Sequence, residues 1–323
     1  YRFMASFGFA LDPVTKQLVR KYSGLISSTA TERISYEMER IMASDRASDV
    51  IAQMAEIGLV WKIFPELKRG VGCKQPASHH LDVFSHNLET LRMMEQLQQS
   101  PAEYFPGHGR ELKEYLEQKR RRVWLRWAAF FHDIAKPETY ELRDGRRTFY
   151  NHDRSGGRKF SEVARRLHWS NDDTDHVARF ISLHMWPFHL NNSMRKTGIT
   201  AKACLRLVKT IGSELPGLFL LAMADSLAGQ GVDKPENMEI SLAELYGRVD
   251  AVCRKSVLPV LQSPPLLTGT DLVDLFDLQP GPIFGTILSG IEKARVVHEG
   301  MTRDDAVGWV RVYLKGRGQG TGG

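Results

Sequence analysis

The sequence predicts an all-α protein that carries one small β-hairpin. Three observations predict it. Apolar residues recur at helical spacing behind helix-start signals, as at Ile34, Met38, Ile41 and Met42. Two stretches, 123–134 and 218–225, are so apolar that each reads as a buried helix. One short segment alternates instead: 139–142 and 147–150, turned at Asp144-Gly145, read as a hairpin.

The elements follow in order. Asp12-Pro13 is a helix start, an N-cap followed by proline in the first turn. Thr29 and Glu32 form an expected capping box for the helix that holds Ile34 to Met42. A boundary is expected between Gly72 and Pro76. The buried helix over 123–134 and then the hairpin follow. Residues 231–236 read as a linker, a long helix comes after it, and Ser263-Pro264-Pro265 breaks the chain. Residues 315–323 are Gly-rich and expected to be disordered.

Composition narrows the function classes. There are 44 basic and 38 acidic residues, a net charge of +6 and a pI near 9.2, as expected of a protein that handles RNA. A length of 323 residues is enough for about two domains with ample core. Cys73, Cys204 and Cys253 have no metal or disulfide spacing and fit a reducing compartment. With no signal-peptide pattern and no long uncharged apolar span recognised, no membrane role is indicated and a cytoplasmic location is expected. No internal repeat and no nucleotide-binding glycine motif is seen.

The sharpest feature lies inside the buried run. His132 and Asp133 stand side by side in VWLRWAAFFHDI. Burying an imidazole and a carboxylate is costly unless each has a partner, and a divalent cation would satisfy both. The same test, a lone polar group in apolar surroundings, finds the other ligands. Asp225 is the only charge in LFLLAMAD, His86 sits among Phe84, Leu88 and Leu91, and His184 ends VARFISLH. His152 follows the hairpin. The metal set is therefore His86, His132, Asp133 and Asp225, with His152 and His184 as second-metal ligands or phosphate-side groups. The bland alternative is a buried polar network, or core histidines with one hydrogen bond each. His79-His80 reads as substrate-side or surface. Imidazole and carboxylate without thiolate suit Mn, Fe, Co, Ni, Zn or Mg, with Mg, Mn or Ni foremost.

FFHDIAKP at 130–137, with its spaced His, His-Asp and Asp partners, resembles the HD superfamily of metal-dependent phosphohydrolases. The flanks narrow the resemblance. YRFMASFGFALDPVTKQLVRKYSGLISSTATERISYEMERIM at the start resembles the neck of bacterial class II tRNA nucleotidyltransferases and poly(A) polymerases. GLVWKIFPEL at 58–67 and QPASHHLDVFSH at 75–86 are similar to that family's join into its HD domain, and 264–307 resembles its tail. The resemblance implies a helical neck or body over 1–72, a helical HD domain with the hairpin over 73–231, and a helical tRNA-binding tail over 232–323.

The resemblance also implies a catalytic head with Gly-Ser followed by an Asp-x-Asp pair. That arrangement is not found: Gly212-Ser213 leads into apolar helix, and the Asp172 to Asp175 cluster has no Gly-Ser before it. With no initiator Met, the chain reads as a fragment without the head, not expected to add CCA or poly(A) by itself. Ala135 stands where the family often has Gly.

RNA contacts are expected from the basic run Arg120, Arg121 and Arg122, from Lys196 and Lys202, and from the turn holding Gly281 and Gly285, where backbone N–H groups can approach a phosphate. An ordinary solvated face and a tight helix–helix turn are the alternatives. Two function classes stay open. One is metal-dependent phosphoester hydrolysis of the 2′,3′-cyclic phosphodiesterase or phosphatase type, on RNA 3′ ends or small nucleotides. The resemblance implies that activity, with Asp133, Lys136, His152 and His184 in catalytic roles. The other is a non-hydrolytic tRNA-binding body with a structural metal site. A remoter reading, hydrolysis of dNTPs or guanosine alarmones, runs against the neck and tail resemblance.

Overall fold

The computed structural model describes residues 1–318, without the side chains of 195–197, 317 and 318. The described residues are mostly helical, with one two-stranded antiparallel hairpin, as the apolar periodicity predicts. They form two compact units, 1–192 with 214–245, and 193–213 with the residues from 246 onward.

The first unit begins with α1 (Arg2–Phe7), α2 (Pro13–Tyr22), α3 (Thr31–Met42), α4 (Ala47–Glu56) and α5 (Leu59–Ile63). Asp12 caps α2 by accepting from the Thr15 amide at 2.9 Å. The expected capping box at α3 does not form. Ala30 is its N-cap, Thr29 is extended and outside the helix, and no side chain caps it.

The unit continues with α6 (Val83–Gln99), α7 (Pro101–Tyr104), α8 (Gly109–Leu116) and α9 (Lys119–Phe131). Strands β1 (Glu141–Arg143) and β2 (Arg146–Thr148) follow, paired Glu141 to Thr148 and Arg143 to Arg146. Their turn needs two left-handed residues, and Asp144 (φ 49°) and Gly145 (φ 73°) supply them. Then come α10 (His152–Arg166), α11 (Asn171–Leu183) and α12 (Trp186–Thr197).

The core of this unit is the packing of α6, α9 and α11 on α14 (Leu215–Ala228), with α10 packed on α11. Nearly every side chain of α14 is buried, so that helix is apolar on all sides rather than on one stripe. Phe64, Phe131 and Phe160 meet edge to face at 5.2 and 5.3 Å. At the α10–α11 contact Gly157 leaves no room for a side chain: a methyl there would lie 2.7 Å from the Ala178 carbonyl and collide with the Ser182 hydroxyl.

The second unit holds α13 (Ala201–Ile211), a π-helical turn at Cys253–Val257, α16 (Leu258–Gln262), α17 (Gly269–Phe276), α18 (Pro282–Arg295) and α19 (Arg303–Gly318). The helix α15 (Met238–Val252) runs from the first unit into it. Its core is Leu267, Leu272, Ile287, Ile291, Ala306 and Val310. Thr268 and Asp271 form a reciprocal capping box on α17.

One expectation is corrected. The Gly-rich end is not disordered from 315, because α19 continues to Gly318, and 319–323 lie outside the described residues. The stretch Ala201–Ala228 has the length and hydropathy to cross a membrane but is not uncharged, since it holds Lys202, Arg206, Lys209, Glu214 and Asp225. It is broken by a 3-10 turn at Gly212, and its α14 half is buried inside the first unit.

Candidate metal centre

Five elements bring the His and Asp side chains together. His86 is in the first turn of α6, which Asp82 caps through the Ser85 amide at 2.7 Å. Asp225 is in the buried α14, His152 opens α10, and His184 closes α11. The His132-Asp133 pair does not lie on an unbroken helix as the apolar run predicts. α9 ends at Phe131, His132 is its C-cap, and residues 132–135 form a turn ahead of Pro137, which cannot continue a helix. The turn lets consecutive side chains reach one centre.

Four imidazoles and the Lys136 ammonium converge on Asp133. One carboxylate oxygen, Oδ2, lies 3.2 Å from His132 Nε2, 3.8 Å from His86 Nε2 and 2.5 Å from Lys136 Nζ. The other, Oδ1, lies 3.3 Å from His152 Nε2 and 3.8 Å from His184 Nε2. Asp225 Oδ1 is 2.9 Å from His86 Nε2 and 3.6 Å from His132 Nε2. The centre therefore has two halves joined by one carboxylate.

The ring orientations are fixed from behind. Nδ1 of His132, His152 and His184 points at the carbonyl oxygens of Ala129, Phe149 and Ile181, at 2.9, 2.7 and 2.7 Å. Each Nδ1–H donates to its carbonyl, so a neutral ring there presents its Nε2 lone pair inward, the arrangement usual for metal-ligating histidines. His152 Nε2 and His184 Nε2 then face each other at 3.2 Å, acceptor against acceptor. His132 Nε2 and both Asp133 oxygens are buried, and on Oδ2 the Lys136 ammonium, at 2.5 Å, is the nearest cationic partner. A divalent cation fits such a donor set. The C-terminal ends of α9 and α11, which carry partial negative charge, also close on the centre.

Electrostatics agree. Burial works against a charged His132, but Asp133 and Asp225 outweigh it and hold the ring up at about 10, so without a cation a proton takes up the charge. Burial likewise opposes ionised Asp133 and Asp225, yet His132 and its cationic neighbours hold both well below the usual carboxylate range. Burial, then repulsion from His152 and His132, pushes His184 down to about 3, which leaves it neutral and able to ligate.

Two nearby residues escape the lone-polar-group test because they lie in the loop before α6. Gln75 Oε1 accepts from Lys136 Nζ at 2.6 Å, and its amide donates to the Leu81 carbonyl at 3.3 Å. The His79 ring is 4.7 Å from that of His86, and His79, His86 and Asp225 form a further possible cation group. Burial, then the charge of Lys136, lowers His79 to about 3. His80 is turned away, its Nδ1 accepting from the Gln230 amide.

The RNA-contact candidates lie elsewhere. Arg120 Nε is 2.6 Å from Asp173, Arg121 Nη2 is 3.1 Å from Glu214, and Arg122 Nη2 is 3.2 Å from Asp45. In the second unit Lys202 is exposed on α13, Gly281 is the extended N-cap of α18 at φ 176°, and Gly285 faces open space in its first turn. The Lys196 side chain lies outside the described residues. The scattered cysteines also gain a relation, since Cys204 and Cys253 are hydrogen-bonded thiols.

Comparison with known proteins matches this layout. Residues 8–70 match the family described as the probable RNA and SrmB-binding site of polymerase A, and residues 83–216 match the HD domain. The A-adding tRNA nucleotidyltransferase of Deinococcus radiodurans is 29% identical over 322 residues, covering 97% of this chain and 67% of its own length. The CC-adding tRNA nucleotidyltransferase of Thermus thermophilus is 27% identical over 325 residues, covering 98% and 65%. The chain thus spans about two thirds of these curated relatives. A solved CCA-adding enzyme with CTP shares the fold at a TM-score of 0.50 and 13% identity, over 97% of this chain and 58% of that one. The chain thus carries the matched RNA-binding region and the HD domain, and is similar to tRNA nucleotidyltransferases over nearly its whole length.

Proposed function

We propose that the His–Asp centre hydrolyses phosphoesters with a divalent cation, of the 2′,3′-cyclic phosphodiesterase or phosphatase type, on RNA 3′ ends or small nucleotides. The observation that carries this is the convergence itself: four buried imidazole nitrogens around the two oxygens of one buried aspartate, with a second carboxylate, Asp225, beside two of them. His86, His132, Asp133 and Asp225 would hold a cation, and Asp133, His152 and His184 a second one. A divalent cation there would acidify water and neutralise charge building on phosphorus. Mg, Mn and Ni all suit the donor set.

The remaining chemistry belongs to the chain. With Nδ1 committed to carbonyls, His152 and His184 are assigned as ligands rather than proton donors. Lys136, held by Asp133 and Gln75, supplies an ammonium for a phosphate oxygen. Nucleotide addition is not assigned to these residues. The partner is inferred to be tRNA or another RNA 3′ end, in the cytoplasm, from the matched RNA-binding region and the relatives' names.

The test is hydrolysis of 2′,3′-cyclic AMP with Mg, Mn or Ni, after EDTA, and in Asp133→Ala. Turnover is expected to need metal and to fall about a hundredfold or more in the variant. A folded, metal-loaded sample without turnover would move the assignment to the second reading, a tRNA-binding body with a structural metal site, which the match over 8–70 favours.

A further inference from the structure

The hairpin next to the centre has no core of its own. Every residue from 140 to 147 is exposed, on both faces of the two strands. A lone two-stranded hairpin is marginal in water, and this one also sets Arg143 directly opposite Arg146, a like-charge pairing that costs stability. Arg143 is offset by Glu141 and lies over the Tyr150 ring at 4.8 Å. Arg146, Arg147 and Arg154, the last in the first turn of α10, have exposed or half-exposed side chains and no acceptor for their guanidinium groups among the described residues. Tyr150 is 60% exposed and Tyr140 44%.

Phe149 ties this surface to the metal centre. Its ring packs against Tyr140 at 5.7 Å and carries the Lys136 ammonium 5.7 Å from its centroid. Its carbonyl fixes His152. Unpaired guanidinium groups and exposed aromatic faces together suit a chain of phosphates with free bases, since charge binds the backbone and rings stack the bases. A free mononucleotide would need only the centre.

We propose that the hairpin, through Arg146, Arg147 and Tyr150, grips the single-stranded 3′ end of an RNA and leads it to the His–Asp centre. The proposal deepens the hydrolytic reading by naming an RNA strand as substrate. Its binding step is separable from that reading.

The experiment measures fluorescence anisotropy of a 5′-labelled single-stranded RNA octamer on the full chain, with EDTA present so that turnover plays no part. Arg146→Ala with Arg147→Ala should weaken binding about tenfold near physiological salt and lower the slope of log affinity against log salt by about 1.4. The Lys pair at the same positions should restore the slope. Tyr150→Ala should weaken the octamer and spare a duplex RNA, whose bases are not free to stack. Arg146→Ala with Arg147→Ala binding the octamer with unchanged affinity and slope would overturn the proposal. Equal loss on the duplex in Tyr150→Ala would overturn the single-strand assignment. Octamer binding that depends on the hairpin, with no hydrolysis in metal, would leave the grip standing and remove the hydrolysis.

Discussion

Arg120, Arg121, Arg122 and Arg126 of α9 each end on an acceptor of the same chain, whereas Arg146, Arg147 and Arg154 around the hairpin end in solvent. Of the two groups, only the run Arg120 to Arg122 is expected from the sequence to contact RNA. The first is structural. Arg126 is 1% exposed and donates to Gln98 at 2.8 Å, to the Met42 and Ser44 carbonyls and to Asp45. The second holds its charge available. A basic run is therefore evidence of a nucleic-acid surface only after its carboxylate partners have been counted.

Substitutions can break that contrast. Arg126→Ala should be the most damaging, because it strands buried acceptors on α3 and α6, and about 3–5 kcal/mol of stability should be lost in urea unfolding. A loss below about 1 kcal/mol would show that the α9 arginines are not structural. Arg121→Ala should cost about 2 kcal/mol, since Glu214 is buried and would keep only the Tyr115 hydroxyl, at 2.5 Å, of these two partners.

Arg120→Ala should act through pH. Burial tends to raise Asp173, but Arg120, Ser170 and Trp124 outweigh it and hold its carboxyl below the usual value. A depressed folded value means the stabilisation is full above the unfolded value, near pH 4, and is lost as pH falls through the folded one. Thermal melts at descending pH should show this acid loss in the unsubstituted protein and less of it in Arg120→Ala. The same acid profile in both would remove Arg120 as the cause. The smallest effect is expected at the hairpin. Arg146→Ala should leave stability within about 0.5 kcal/mol, or raise it slightly by removing the repulsion with Arg143. A large loss there would make the hairpin arginines structural too.

What could be read from the sequence follows the same division. Asp225 and the His132-Asp133 pair stand out because a lone charge in an apolar run has few explanations, and the structure brings them together. The hairpin is legible from Asp144-Gly145, a local turn signal. Gln75 is not, because a polar residue in a polar loop carries no contrast. The end of α9 at Phe131 is hidden, since the apolar run continues to Ile134 and the breaking proline comes only at 137. The ties of the α9 arginines are hidden for another reason: Glu214 lies 93 residues from Arg121, and Asp45 lies 81 from Arg126. No local pattern reports a partner so far along the chain.

The contact of α10 with α11 at Gly157 has a consequence for how the centre keeps its dimensions. His152 and His184 sit at adjoining ends of those two helices, each ring pinned to its own main chain. The 3.2 Å gap between them is thus gauged by backbone pressed against backbone. Rotamer changes nearby leave such a gauge alone, and one added methyl at position 157 resets it. Selectivity for ion size in that half of the centre would then be set by a residue that touches no ion.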